Sequence, residues 1–184
     1  VDPLCQAVER AWRAGIVVVV SAGNEGRNNS ANTKGYGTIT SPGNDPYVIT
    51  VGAVHHKNDW DPNNDIIATY SSKGPTAIDR IVKPDILAPG NRVFGYQASG
   101  TTLVNLFPGN RPPVSMYQTN GSTTTPSQYF FKLSGTSMAA PLVSGAAAAL
   151  IHKDASLTPD QVKARLMKTA RRTFPSQTIS TYDS

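Results

Sequence analysis

Apolar residues recur along the chain in two rhythms. Near the start, Cys5, Val8 and Trp12 stand at three- and four-residue spacing, the period of a helix with one apolar stripe. Asp2 is suited to cap that helix, Pro3 to open it and Gly15 to end it after Ala14. Val17 to Val20 form an unbroken apolar run, which predicts a short strand buried on both faces. Val48 to Val54 predicts a second strand. Leu142 to Ile151 contains Ala146, Ala147, Ala148 and Ala149, strong helix formers, and Gly135 and Thr136 supply a tight entry and a cap. Pro141 is then expected in the first turn, where its missing N–H does no harm. A last helix begins at Thr158-Pro159-Asp160-Gln161 with a capping box, and Leu157, Val162, Leu166 and Met167 give it an apolar side. Helices and buried strands in alternation predict an α/β fold, a doubly wound, mostly parallel sheet with helices on both faces.

The intervening stretches are polar. Residues 27–45 are rich in Asn, Gly and Ser and read as a loop. Asp59, Asp61 and Asn63 have the alternate spacing of a calcium loop, but Asn64 stands where an EF-hand needs Gly and Tyr70 where it needs Glu. A polar turn is the simpler reading, with a structural calcium ion of another kind as the alternative. Residues 98–129 form a connection long enough to be functional, while the polar run 118–128 reads as a disordered surface insertion. Residues 173–184 lack periodicity and read as a surface tail, leaving 1–172 as the folded body.

Charge narrows the function. A net charge of +5 raises the question of nucleic acid. Yet the only dense cluster, Lys163, Arg165, Lys168, Arg171 and Arg172, falls near the end of the last helix, where a solvated face complements the dipole, so no nucleic acid is expected. The single cysteine, Cys5, excludes an internal disulfide and reads as a small buried hydrophobe. No apolar run reaches the length of a membrane span.

One stretch carries chemistry. In Gly135-Thr136-Ser137-Met138-Ala139-Ala140-Pro141 a serine stands at the start of a helix, beside free N–H groups and the positive end of the dipole, where developing negative charge is favoured. Small neighbours let a substrate backbone approach. Ser137 is therefore a candidate nucleophile, and a plain helix cap is the competing reading.

The loop Ser21-Ala22-Gly23-Asn24-Glu25-Gly26 lies at the carboxyl edge of the valine strand, where parallel sheets bind ligands. Together SAGNEG and GTSMAAP resemble the oxyanion loop and nucleophile segment of the subtilisin-like serine proteases (subtilases, peptidase S8). Three further segments are similar to that family in the same order: Val48-Ile49-Thr50-Val51-Gly52-Ala53-Val54, Tyr70-Ser71-Ser72-Lys73-Gly74-Pro75 and Lys83-Pro84-Asp85-Ile86-Leu87-Ala88-Pro89-Gly90. The resemblance implies a serine endopeptidase acting through an acyl-enzyme on a polypeptide substrate, with no cofactor needed for the chemistry. It assigns Ser137 as nucleophile, Asn24 as oxyanion donor, and Ser21, Ala22, Gly23 and Thr136 as substrate contacts. It also implies secretion, and Ser41-Pro42 resembles a family position where a cis proline is common, although the sequence leaves the isomer open.

Two departures follow. The family's Asp and His motifs precede the SAGN loop, so neither is expected within this chain, and 1–172 is expected to be the carboxyl-terminal part of a catalytic domain. Leu142 replaces a His common in the family outside the triad. The remaining histidines are poor substitutes: His152 lies fifteen residues beyond Ser137, about 22 Å along a helix, and His55 and His56 beside Asp59 read as a solvated pair. The isolated chain is therefore expected to be inactive. Its open sheet should be covered by the upstream segment or by a second copy. The competing readings are a subtilase-like domain kept only for binding and an unrelated α/β binding domain.

Overall fold

The structure, a computed structural model, describes residues 2–172 apart from 29, 58, 60 and 99; the expected tail at 173–184 lies outside the described residues. Two compact units emerge, one from the stretch up to Asn91 joined with that from Gly135 onward, the other from Arg92–Ser134.

The first unit is built on β2 (Ile49–His55), whose first six residues are all buried. It pairs in parallel with β1 (Val19–Ser21) and with β4 (Ile86–Pro89), and antiparallel with the short β3 (Ile66–Ile67). Alternate residues of β2 point to opposite faces. Ile49, Val51 and Ala53 meet Ala139 and Val143 of α3 (Thr136–Lys153), joined by Trp12 of α1 (Pro3–Arg13). On the other face the Thr50 hydroxyl donates to the Gly43 carbonyl at 2.7 Å, and Gly52 faces Leu87 and Pro84 so closely that a Cβ would lie 2.5 Å from Leu87 Cδ2. The α/β class holds.

The valine run differs from expectation. The strand is Val19–Ser21, its residues are only half-buried, and Ile16 is exposed. Among the described residues β1 has a partner strand on one edge alone, and burial on both faces is not reached.

Helix signals were mostly local and were obeyed. Asp2 caps α1 through Leu4 N–H at 2.8 Å, and Gly15 follows at φ +90°. In α4 (Pro159–Thr169) Thr158 and Gln161 bond reciprocally. Thr158→Ala is expected to cost about 1 kcal/mol, read as an earlier urea midpoint at unchanged m-value. Pro141 breaks the pattern: it is the sixth residue of α3, not in its first turn. There it removes the N–H that would bond the Ser137 carbonyl, so the ladder is interrupted one turn into the helix.

Four residues of the basic cluster are exposed, as expected, and Lys163 is half-buried. Lys163 Nζ lies 2.9, 3.2 and 2.9 Å from the carbonyls of Pro46, Tyr47 and Val48 and 3.2 Å from Asp85 Oδ1. Arg165 pairs with Asp154, and Arg171 donates to the Pro62 carbonyl and to Asn63. Cys5, half-buried, donates its thiol to Asn44 Oδ1 at 3.4 Å. No helix of the described residues is long and apolar enough to cross a membrane.

The second unit pairs β5 (Val93–Tyr96) antiparallel with β6 (Phe130–Leu133) and contains α2 (Thr102–Leu106). The run 118–128, read as a disordered insertion, is tied down. Ser127 is fully buried; its N–H donates to Pro112 O at 2.7 Å and its hydroxyl accepts from Tyr129 and Phe130 N–H. Val114 N–H also reaches Thr125 O at 3.0 Å. These backbone bonds have no periodic signature, so the pattern of residues could not reveal them.

Candidate active site

The chain leaves β1 at Ser21 and turns at Gly23, whose φ of +106° favours glycine. A Cβ there would lie 2.9 Å from Ser72 Oγ. Gly23 N–H donates to Thr136 Oγ1 at 3.2 Å, and Gly23 O accepts from Ser72 N–H at 3.0 Å. Ala22 is fully buried with its N–H on Val51 O. Of the four residues expected to meet substrate, Ser21 lines a groove of about 480 Å³ shared with Val19, Val20, Ser137, Ala140 and Pro141. Ala22 and Gly23 have their backbone groups engaged inside the protein.

Asn24 follows, exposed. Its Oδ1 accepts the Thr136 backbone N–H at 2.9 Å and the Thr136 hydroxyl at 3.0 Å. A backbone N–H can only donate, so the atom facing it must be the carbonyl oxygen. The amide nitrogen is thereby turned away from Thr136, with two N–H groups and no partner among the described residues. Thr136, expected to touch substrate, is fully buried and holds Asn24 and Gly23 from behind. It is the first residue of α3, not its cap; the cap is Gly135, which makes no side-chain bond. Thr136's supporting part was missed because a hydroxyl beside glycine reads first as a cap.

Ser137 is the second residue of α3. Its side chain is exposed, and among the described residues neither its hydroxyl nor its N–H has a hydrogen-bond partner. The free N–H is one of the orphan donors at a helix start. No Ser–His–Asp hydrogen-bonded triad forms among the described residues. His152 sits exposed in the last turn of α3. His55 ends β2 with its ring 6.4 Å from that of His56. Asp59, their supposed partner, accepts from Asn64 Nδ2 at 2.7 Å and from Asp61 N–H at 2.9 Å, and these bonds, the Asn64 bond first, hold its carboxyl below 3.8.

The same bonds bear on calcium. Asp61 Oδ1 likewise accepts from Asn63, and Asn63 Oδ1 accepts from Arg171. These bonds engage both Asp59 oxygens, Asp61 Oδ1 and Asn63 Oδ1 within the loop and with Arg171. No group of three or more His, Cys, Asp or Glu able to hold a metal occurs among the described residues. The Ser41–Pro42 bond is cis, as are Gly74–Pro75 and Lys83–Pro84.

The first unit thus combines a mostly parallel α/β sheet with an exposed serine in the first turn of a helix and an asparagine, oriented by Thr136, on the loop after β1. Comparison makes this specific. Residues 1–182 match the Subtilase family of peptidases (peptidase S8). Serine protease AprX of Bacillus subtilis is 42% identical over 162 residues, covering 88% of this chain and 32% of that protein. Subtilisin DY of Bacillus licheniformis is 36% identical over 167 residues, covering 91% and 44%. The solved structure of Sphericase superposes with a TM-score of 0.59 at 28% identity, over 90% of this chain and 43% of that one. The chain belongs to the subtilase family. It spans between about a third and somewhat under half the length of these relatives.

Proposed function

We propose that the complete protein is a serine endopeptidase in which this chain supplies nucleophile and oxyanion site, while the base and its orienting carboxylate come from a segment outside it. The Ser137 hydroxyl adds to the substrate carbonyl carbon and gives its proton to the supplied imidazole. The Asn24 amide and the Ser137 N–H donate to the oxyanion. Collapse expels the amine, which takes up that proton, and water then releases the acyl group by the same steps. The observation that carries this reading is the Thr136 pair of bonds on Asn24 Oδ1: it commits the amide nitrogen to donating, beside a serine with nothing on its hydroxyl.

The groove beside β1 and the open edge of that strand suit the missing segment, with a second copy as the other occupant. The deciding experiment measures hydrolysis of a chromogenic peptide by the 184-residue chain with and without the upstream segment. Activity only in the combination supports the proposal; inactivity of both sinks it. In the active form Asn24→Ala should lower kcat by about 10²–10³ with little change in KM, the range known for such a donor in subtilisin itself. Unchanged kcat would remove Asn24 from the oxyanion site.

A further inference from the structure

We propose that Tyr70 is a positioning residue that ties the Asn24 loop to the Ser137 turn, a role that rests on the reading of those two residues above. Tyr70 has a bond to each side. Its backbone carbonyl accepts the Gly26 N–H at 2.9 Å, two residues beyond Asn24. Its hydroxyl donates to the Gly90 carbonyl at 2.7 Å. That same oxygen accepts the Gly135 N–H at 2.9 Å, two residues before Ser137. With both lone-pair directions of the Gly90 carbonyl in use, its orientation is set, and through it the place of Gly135.

Both contact points are too tight to shift freely. A Cβ at Gly26 would lie 2.1 Å from Thr69 O, and one at Gly90 would lie 2.6 Å from Ala53 Cβ and 2.9 Å from Gly135 O. Gly90 N–H is itself held by Val54 O of β2 at 3.1 Å. Gly135 sits at φ 154°, ψ 157°, a region essentially reserved for glycine, so nothing in its own side chain holds the turn and external anchors must. On its backbone N–H groups these are Asn24 Oδ1, which accepts from Thr136, and the Gly90 carbonyl, which accepts from Gly135. The Tyr70 hydroxyl is the side-chain donor that acts on the second. Its ring packs against the core cluster, so the phenol is delivered from a fixed base.

Tyr70→Phe keeps the ring and removes only the hydroxyl. In the active complete enzyme it should lower kcat about fivefold with KM within about twofold, because the reacting serine is displaced while substrate binding is left alone. Trp12→Phe is the control: it removes the 2.9 Å bond from Trp12 Nε1 to Asp160, away from the turn, with a comparable fall in melting temperature and kcat unchanged. Unchanged kcat in Tyr70→Phe, or an equal fall in both variants, overturns the proposal. A second readout does not need catalysis. In the 184-residue chain the Gly135 amide resonance should move in Tyr70→Phe while those of Gly26 and the β2 core stay in place; an unmoved Gly135 overturns the positioning role. If the complete enzyme shows no Ser137-dependent hydrolysis but Gly135 still moves, the functional reading fails and the structural tie stands.

Discussion

Ser137→Ala in the complete domain should abolish peptide hydrolysis, with a loss near the 2 × 10⁶ in kcat recorded for subtilisin itself when the serine or histidine is removed. The size follows from how the roles interlock. An alcohol is a weak nucleophile until a base accepts its proton, so serine and base act as one unit and losing either removes the whole effect. On the proposed reading this chain carries one half of that unit, and the Ser137 hydroxyl has no partner among the described residues. The unsubstituted 184-residue chain should therefore be as inert as the Ser137→Ala domain. Turnover of a chromogenic peptide, with an active-site-directed fluorophosphonate followed by intact mass, checks both statements. Hydrolysis by the isolated chain that disappears in Ser137→Ala would instead place a base within these residues, and His55 and His56 would be examined first.

Asp85→Asn should be the most damaging single-atom change to stability, about 3–5 kcal/mol, or a fall of about 10 °C in melting temperature. The Lys83 side chain is completely buried, and those of Asp85 and Lys163 are 7% and 15% exposed. Lys83 Nζ lies 2.7 Å from Asp85 Oδ2, and Lys163 Nζ 3.2 Å from Oδ1, so one carboxylate answers two ammonium groups. Both ammoniums also reach the Val48 carbonyl. Removing the negative charge leaves two cations facing each other out of water. Lys83→Met should cost no more than about 1 kcal/mol, because Asp85 keeps Lys163 and the Thr50 N–H at 2.8 Å. Equal losses in the two variants, measured by urea unfolding, would contradict this account.

The same cluster sets a pH dependence. Burial holds the Lys83 ammonium below the ordinary lysine value of 10.5, with Asp85 opposing the shift. Between the folded value and 10.5 the unfolded chain binds more protons at this position than the folded one, so its contribution to stability rises as pH climbs through that window. In Asp85→Asn the opposing charge is gone, and the alkaline rise should begin at lower pH and be larger.

Local signals carried further than expected in some places and failed in others. The Asp2 and Thr158 caps needed only neighbouring residues, and both formed. The β2 run Ile49–His55 declared itself because a strand in the middle of a sheet is apolar on both faces. The valine run used the same signal and misled: its strand sits at the edge of the sheet and its residues are only half-buried. Pro141 misled for another reason: local preference puts proline at a helix start, whereas here α3 begins five residues earlier, at Thr136, immediately after the Gly135 cap that the Gly90 carbonyl and Asn24 help to hold.

By itself the sequence determined the α/β class, the order of the elements and the two segments that bear Ser137 and Asn24, because caps, periodicity and glycine turns act between residues close in the chain. Only the tertiary structure decided that buried Thr136 bonds to Asn24, that Gly23 bonds to Thr136 and Ser72, that Lys163 serves a carbonyl cluster and that Tyr70 reaches both loops. Those facts depend on hydrogen bonds across long separations, 112 residues for Thr136 and Asn24 and 115 for Lys163 and Val48. Such bonds leave no period in the chain, since either partner looks the same in sequence whether its mate is present or not.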